Sequence, residues 1–403
     1  MTALRAHPFP KLAMITTLCQ RLSMRPPPRF ATSSSYVGQG ELLLLRLRRL
    51  SRLTPFLVAL MLCAGLALTP AQVEAAYTAV EVAILPEGSS RLVRAINDAG
   101  EIVGGGRRGG RHRGLLLRGG GRQDIDGLPG SDYTVALGIN RTGQIVGTAN
   151  TRTGMQGFRS QRTTGIVALP PLTGDSSSMA FAINDSGQAV GFSSGPTGIR
   201  AVVWTLDRDI QALPALSGSK SSRGFAINDQ GDAVGVADTP SGPRAVFWGG
   251  GAVQNLGTLS GHGASEALSI NNNGDIVGSS GDLAERRAVL WALGADIKAL
   301  GVLPGGTSSR ALGVNDRREV VGNSRTSAGV HAFRWTDRDG MQDLNDLLTS
   351  RVGFVLTDAV AISPLGLILA IGVDAARTPD QPHDHDDHEL PTRIFRLVPV
   401  PAP

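Results

Sequence analysis

The chain has 403 residues, and its 39 Lys and Arg residues outnumber its 34 Asp and Glu residues, which gives a formal net charge of +5 at pH 7. Nine of the basic residues and only two of the acidic ones precede residue 76, which leaves 30 basic and 32 acidic residues in the rest of the chain. This near-neutral body excludes a protein that binds nucleic acid through its overall charge. The 52 glycines favour short strands and tight turns over long helices.

Residues 1–75 have the order of a secretory signal behind an N-terminal extension. The basic stretch RLRRLSRL at 46–53 is followed by an apolar run at 56–68 and by the small-residue sequence VEA, which ends at Ala75. The apolar run of 13 residues is short for a membrane helix, which needs about 20. We therefore predict cleavage after about Ala75 and a mature domain over 76–403, exported to the periplasm or the extracellular space and not held in the membrane. Both cysteines precede that cleavage point, so the mature chain has no disulfides.

The sequence AINDQGDAVGVA at residues 226–237 is one copy of a phrase that recurs through the rest of the chain. Successive copies are 43 to 48 residues apart when they are aligned on their asparagine. A period near 44 is typical of one supersecondary unit, here repeated seven times. The aligned positions are Asn97, Asn140, Asn184, Asn228, Asn271, Asn315 and, in a degenerate copy, Ser363.

Each unit is predicted to contain four short antiparallel strands. In the copy at 200–237 these are AVVW, IQALPAL, GFAIN and DAVGVA, in that order. The Asn-Asp pair, with a Gly three residues after the Asn, is typical of a hairpin turn between the third and fourth strands. Four strands in about 44 residues are the content of one propeller blade. The prediction is an all-β, seven-bladed β-propeller, with a parallel β-helix or solenoid as the structural alternative.

The strand before each asparagine carries small residues on one face and bulky apolar residues on the other, for example Ala180 and Ala182 against Phe181 and Ile183. Such a strand is expected to be covered on both faces, as it would be near the crowded axis of a ring. The first unit lacks its first strand, and the chain end supplies an extra one, IFRL at 394–397. We expect the N- and C-terminal strands to pair and to close the ring of a monomer.

The repeats resemble those of a known family. The sequence HAFRW (His331–Trp335), followed by LNDL, and the repeated pattern INDxGxIVG are similar to the HAF-family extracellular repeat proteins. The resemblance covers about residues 77–399. It implies an exported protein with a propeller-like fold and no established activity.

Loops rich in Ser and Gly are predicted to share one end of the propeller, because alternate connections of an antiparallel meander lie on the same side. Loops on a rigid scaffold are where binding usually occurs. Their charged side chains, Lys220, His262 and Arg310, are the candidate ligand-binding residues, and a glycan or an envelope protein is the expected ligand. The sequence GFSSG at 191–195 matches a hydrolase nucleophile elbow but lies in a predicted strand, so Ser193 is interpreted as structural.

The sequence HDHDDHE at 383–389 offers His383, His385 and His388 as ligands for a divalent transition metal. A metal-binding exported protein is therefore one alternative function. A glycan hydrolase or lyase is another, because propellers host such enzymes. Apart from the turn Asp, which we expect to face solvent, no acidic position recurs, so the sequence favours a non-enzymatic binding scaffold. The basic sequence RRGGRHRG at 107–114 has no interleaved aromatic residue and is interpreted as a solvated loop.

Overall fold

The strands of the molecule form seven four-stranded sheets in which neighbouring strands are antiparallel. All described residues belong to one compact unit, Val73–Pro403, and the predicted signal segment lies outside them. The computed structural model describes residues 76–85, 93–161, 165–350, 353–375 and 392–400.

Every sheet is a meander, and we number the 28 described strands in chain order. The first strands of the sheets are β2 (Val93–Ile96), β6 (Thr134–Ile139), β10 (Ser177–Ile183), β14 (Ser221–Ile227), β18 (Ser265–Ile270), β22 (Ser308–Val314) and β26 (Phe354–Ile362). The second strands are β3 (Ile102–Arg108), β7 (Ile145–Thr151), β11 (Ala189–Gly195), β15 (Ala233–Thr239), β19 (Asp275–Ser280), β23 (Val320–Thr326) and β27 (Ile368–Asp374).

The outer half of each sheet consists of a third strand and a shorter or terminal fourth strand. The third strands are β4 (Arg111–Arg118), β8 (Gly154–Gln161), β12 (Gly198–Trp204), β16 (Gly242–Gly249), β20 (Arg287–Ala292), β24 (Gly329–Thr336) and β28 (Thr392–Pro399). The fourth strands are β5 (Gly121–Ile125), β9 (Gly165–Leu169), β13 (Ile210–Ala212), β17 (Ala252–Asn255), β21 (Lys298–Gly301), β25 (Gly340–Asp343) and β1 (Tyr77–Leu85).

The first strands of the seven sheets lie in a closed circle around a common axis. Strand β2 contacts β6, each further first strand contacts the next, and β26 contacts β2 again. Sheets that extend outward from such a circle are the blades of a propeller. The predicted seven-bladed β-propeller is confirmed, and the parallel β-helix is wrong because the strands of each blade are antiparallel.

The last blade is completed by strands from the two ends of the described chain. Its order is β26-β27-β28-β1, and Tyr77 of β1 lies opposite Pro399 of β28 in an antiparallel ladder. Arg393 of β28 also donates from Nε to a carboxylate oxygen of Glu81 in β1 at 2.8 Å. The predicted closure of the ring by the N- and C-terminal strands is confirmed.

The predicted starting point of each blade is wrong by two strands. The sequence AVVW lies in β12, the third strand of a blade, and GFAIN contains the end of β14, the first strand of the next blade. The prediction treated IQALPAL as one strand paired with GFAIN, but β13 ends at Ala212, two residues before Pro214. Proline has no amide hydrogen with which to extend a ladder. The chain therefore leaves the sheet here and crosses to the next blade.

Each interface between neighbouring blades has its own apolar core. Between the second and third blades, Val146 of β7 packs with Ala180 and Ile183 of β10. The predicted separation of small and bulky residues onto opposite faces is wrong, because every first strand contains a register shift, here between Ala180 and Ala182. This β-bulge turns Ala180 and Ile183 toward the same core.

The glycine of the repeated Val-Gly sequence lies opposite this bulge. Gly191 of β11 is paired with Ala180, and a Cβ atom on Gly191 would overlap the carbonyl oxygen of Met179. Glycine therefore allows the second strand to approach the bulge closely. The corresponding glycines with the same environment are Gly147, Gly235, Gly278 and Gly322.

Candidate functional site

The central channel has two different ends, because the seven first strands run in the same direction along the axis. At one end, which we call the Asn-turn end, lie the turns between first and second strands: 97–101, 140–144, 184–188, 228–232, 271–275, 315–319 and 363–367. At the other, which we call the Ser-loop end, lie the connections between blades and the hairpins between second and third strands. The described blade connections include 126–133, 170–176, 213–220, 256–264 and 302–307.

The repeated asparagine links each blade to the next. Asn184 is buried, and its Oδ1 accepts a hydrogen bond from the Gln188 amide at 2.9 Å. Its Nδ2 donates to the carbonyl oxygen of Asn228 in the following blade at 2.9 Å. A carboxamide suits this position because it both donates and accepts hydrogen bonds. Equivalent bonds of 2.8 to 3.2 Å run from Asn97 to Asn140, Asn140 to Asn184, Asn228 to Asn271 and Asn271 to Asn315.

The residue after each asparagine forms a second set of links between blades. The Asp185 amide donates to Oδ1 of Asp229 at 2.9 Å, and the Asp229 amide donates to Oδ1 of Asn272 at 3.0 Å. The amides of Arg141 and Asn272 donate in the same way to Asp185 and Asp316. The prediction that the turn Asp faces solvent missed this link, although Asp229 and Asp316 are also exposed.

The last blade interrupts both sets of links. Ser363 replaces the asparagine, and within the described ranges its hydroxyl accepts only an amide of its own turn. Two other bonds span the interruption. The Leu365 amide donates to Oδ1 of Asp98 at 3.0 Å, and Arg317 donates to the Pro364 carbonyl oxygen at 3.2 Å.

A cavity of about 250 Å³ opens at the Asn-turn end and is lined by all seven blades. The charged residues that line it are Asp98, Arg141, Asp185, Asp229 and Asp316. Below them lies a ring of aliphatic side chains, each from the residue before the repeated asparagine or its serine counterpart. These are Ile96, Ile139, Ile183, Ile227, Ile270, Val314 and Ile362.

Several serines near the Ser-loop end hold neighbouring blades together. The Ser265 hydroxyl donates to the Gly257 carbonyl oxygen at 2.7 Å and accepts from the Ala245 amide at 3.0 Å, both in the preceding blade or its connection. Ser178 and Ser309 make the same pair of bonds to their preceding blades. These serines are buried, so their recurrence in the sequence has a structural cause.

Ser193 of the GFSSG sequence is fully buried. Its hydroxyl accepts from the Leu172 amide at 2.9 Å and donates to Oδ2 of Asp175 at 2.6 Å. The Arg200 guanidinium donates to both oxygens of the same carboxylate, at 2.9 and 3.0 Å. Ser193 therefore fixes the connection 170–176, which is a structural role.

The three candidate binding residues lie near the starts of three consecutive first strands. Lys220 is exposed, and its amide donates to the Asp238 carbonyl oxygen at 3.0 Å. His262 is half-buried, with Nδ1 3.0 Å from the Ser280 hydroxyl. Arg310 is half-buried and contacts a carboxylate of the preceding blade. The structure thus places the three residues at one end of the channel, each with its own neighbours.

Two arginines share one carboxylate next to this group. Arg310 Nη2 lies 2.8 Å from Oε1 of Glu266, and Arg286 Nη1 lies 4.0 Å from the same oxygen. The Ser279 hydroxyl also donates to it, at 2.9 Å. The Nε atoms of Arg286 and Arg310 are buried and have no acceptor among the described residues. Burial lowers the pKa of Arg286, Glu266 opposes this effect, and the Arg310 charge adds to it.

Arg310 was predicted from the sequence as a ligand-binding residue, whereas Glu266 and Arg286 were not. Glu266 and Arg310 occupy the same place in their repeats, five residues before the asparagine. The signal that could have found them is the change from Met179 in one blade to charged residues in later ones at this position. Arg286 gave no such signal, because it lies in a connection of irregular length.

The basic hairpin between β3 and β4 is partly paired. Arg108 lies 2.9 Å from Asp124 and Arg113 lies 2.6 Å from Asp126, in both cases between guanidinium nitrogen and carboxylate oxygen. Exposed pairs of this kind contribute little to stability. The loop interpretation is wrong for most of this sequence, because its arginines lie in β3 and β4 of one blade and only 109–110 form the turn between them, although the tip of the hairpin is exposed.

The histidines differ in what the structure says of them. The predicted metal ligands His383, His385 and His388 lie outside the described residues, so the metal site stays a prediction. Within the described ranges there is no group of three or more side chains that could ligate a metal. His331 of the HAFRW sequence has Nδ1 2.6 Å from Oδ2 of Asp343 in its own blade. No helix of the described ranges is long and apolar enough to span a membrane.

Solved structures similar to this chain are known, but no family is shown for it. No family model matches the sequence, and no curated protein matches it significantly. The chain is similar to a solved streptogramin B lyase, with 13% identity and a TM-score of 0.47 over 82% of this chain and 100% of the other. It is also similar to YCF48 bound to D1 peptide, with 14% identity and a TM-score of 0.47 over 82% and 99%. The chain is similar as well to the β-propeller domain of the Trilobed protease from Pyrococcus furiosus, with 9% identity and a TM-score of 0.48 over 78% of this chain and 97% of the other. At these identities and TM-scores the likeness says nothing about the activity, ligand or partner of this chain.

Proposed function

We propose that the protein is an exported, monomeric, non-enzymatic scaffold that binds an acidic glycan at the Ser-loop end of its propeller. The observation that carries this proposal is the sharing of Glu266 by Arg286 and Arg310. Two guanidinium groups face Glu266, and Asp282 is a second carboxylate that acts on Arg286, so the cluster still has more guanidinium N–H donors than carboxylate acceptors. A sugar carboxylate would accept hydrogen bonds from the remaining guanidinium N–H groups, because its two oxygens match the planar fork of arginine.

The surroundings of the cluster support an extended ligand. Lys220 is exposed near the start of the preceding blade, and His262 lies between the lysine and the arginines in the order of the blades. The ligand carboxylate would be held by Arg286 and Arg310, while Lys220 would attract further negative charge along a chain. The HAF-family resemblance and the predicted secretory signal support export, which is part of this proposal.

The test is binding of a uronic-acid oligosaccharide to the purified chain, measured by calorimetry. The double variant Arg286→Gln with Arg310→Gln should weaken binding at least about ten-fold, since charged hydrogen bonds contribute roughly 1.5–3 kcal/mol each. Arg310→Lys keeps the charge but loses the fork, and should give an intermediate affinity. The matched control is Arg338→Gln at the Asn-turn end, where the side chain is 93% exposed.

Three outcomes would contradict the proposal. Equal binding by the wild type and the double variant would exclude the arginine pair as the site. A preference for neutral oligosaccharides would exclude the charge argument. Release of shortened or unsaturated sugars during incubation would show a hydrolase or a lyase in place of a binding scaffold. Circular dichroism and thermal unfolding show whether each variant keeps the fold.

A further inference from the structure

We infer that the cavity at the Asn-turn end is a second binding site, for a partner peptide that inserts one apolar side chain between basic residues. This site lies at the opposite end of the channel from the proposed glycan site and does not depend on it. The inference rests on the shape of the cavity, on its aliphatic wall, and on the charge of its rim.

The wall of the cavity favours an apolar group. One Ile or Val from each of the seven blades lines it, next to the six repeated asparagines. Small residues line the cavity behind them, among them Ala182 and Ala226. A volume of about 250 Å³ suits one side chain rather than a whole small-molecule ligand, which usually occupies roughly 300–1,000 Å³. Burial of an aliphatic side chain there would contribute about 25 cal/mol per Å² of apolar surface.

The rim of the cavity favours positive charge around that apolar group. Four carboxylates line it, from Asp98, Asp185, Asp229 and Asp316, against the single cation of Arg141. The seven turns of this end together carry eight carboxylates and three arginines. Such an excess of negative charge attracts basic ligands and repels nucleic acids and acidic glycans.

The arrangement of the carboxylates argues against a metal ion as the occupant. Each belongs to a different blade, and its Oδ1 accepts a backbone amide of the preceding blade. These bonds hold the carboxylates apart around the ring, and within the described ranges no three ligating groups converge. A peptide can contact the carboxylates at these separate positions, because the basic side chains on either side of its apolar residue would extend outward to the rim.

The chain itself shows how the charge can be removed without loss of structure. Asn272 occupies the same position as the rim aspartates, and its Oδ1 accepts the Asp229 amide at 3.0 Å. Asparagine in place of Asp185, Asp229 and Asp316 should therefore keep the backbone-amide links between blades while removing three negative charges. The substitutions also remove the bonds that Asn272 and Arg141 make to the second carboxylate oxygens. The matched control carries three asparagines at exposed outer turns of the same end, in place of Asp207, Asp209 and Asp296.

The experiment measures fluorescence anisotropy of the labelled peptide Gly-Lys-Leu-Lys-Gly with the full chain at low salt. We expect saturable binding, at least about ten-fold weaker for Asp185→Asn/Asp229→Asn/Asp316→Asn and unchanged for the outer-turn control. Replacing the peptide leucine by glycine should also weaken binding about ten-fold, because the aliphatic wall would remain uncovered.

Each alternative result would overturn the inference. No saturable binding, or equal binding by the rim and control variants, would show that the rim is not a site. Equal binding of the leucine and glycine peptides would show non-specific charge attraction outside the cavity. Binding of the uronic-acid oligosaccharide to the rim variant should stay at the wild-type level, so failure here is distinguishable from failure of the proposed function.

Discussion

The two ends of the propeller channel differ in how regular they are. At the Asn-turn end, the same asparagine in five blades makes the same bond to the next blade, and the surface is predominantly acidic. At the Ser-loop end, buried serines recur, but the charged residues differ from blade to blade. The regular end shows what a closed ring of identical turns requires. The irregular end is where we propose the glycan-binding site.

The strongest way to break this comparison is to remove one link of the regular ring. Asn184 makes four side-chain hydrogen bonds, two to its Oδ1 and two from its Nδ2. Asn184→Ala removes four hydrogen bonds, leaves the half-buried Gln188 amide without its acceptor and takes one of the two donors from the Asn228 carbonyl oxygen, so we expect a loss of about 3–4 kcal/mol in the free energy of unfolding. Urea denaturation measures this loss, and a loss below about 1 kcal/mol would contradict the role of the ring.

A second prediction concerns the last blade, where the asparagine ring is interrupted and β1 closes the sheet. Burial raises the pKa of Tyr77 to about 12, with opposing contributions from Arg334 and Glu319. Because the folded pKa exceeds the unfolded value of about 10, this contribution is complete below pH 10 and is lost as the pH rises toward 12. The loss should be about 2–3 kcal/mol.

Unfolding of the wild type and Tyr77→Phe between pH 8 and about pH 12 measures this effect. The wild type should lose stability more steeply than the variant over the upper part of the range. Parallel curves would mean that the Tyr77 hydroxyl ionises in the folded protein as easily as in the unfolded one.

The Ser-loop end should respond less to the loss of one structural side chain. Ser265 makes two hydrogen bonds to the preceding blade, compared with four for Asn184. We expect Ser265→Ala to lower the free energy of unfolding by about 1–2 kcal/mol. The free energies of unfolding of Ser265→Ala and Asn184→Ala, measured under the same conditions, compare the contributions of the two ends. A larger loss for Ser265→Ala would contradict the expected order.

The smallest expected effect is on Lys220. Its side chain is exposed, so its attraction to an acidic oligosaccharide is screened by water and salt. Lys220→Ala should weaken oligosaccharide binding less than about five-fold, and the effect should disappear at high salt. A salt-independent loss larger than that of Arg310→Lys would place the site at Lys220 instead of the arginine pair.

Much of the fold was predictable because the same pattern of strands and turns occurs seven times in the sequence. The period, the strand content and the missing strand of the first unit indicated seven blades and their closure. The strand pattern alone did not show which strand comes first in a blade, although Pro214 within IQALPAL marked the point where the chain leaves the sheet. The bulge beside Ala180 was equally hidden, since alternating residues give no sign of an extra residue in a strand.

The site was less predictable than the fold. Charge and loop position indicated Arg310, and they could not show that Glu266 and Arg286 meet it across blades. The repeated asparagine was recognised as a turn residue, but its bond to the next blade exists only when the ring is closed. Repetition reveals residues that build the ring. It does not reveal the residues of the proposed glycan site, each of which occurs once.

Hydrogen–deuterium exchange of the purified chain, with and without a saturating uronic-acid oligosaccharide, tests the central claim most directly. The account predicts slower amide exchange at 256–264, 281–286 and 302–307, which surround the Arg286–Arg310 cluster, and unchanged exchange at the turns 228–232 and 315–319. Slower exchange at the Asn turns without change at the Ser loops would contradict it.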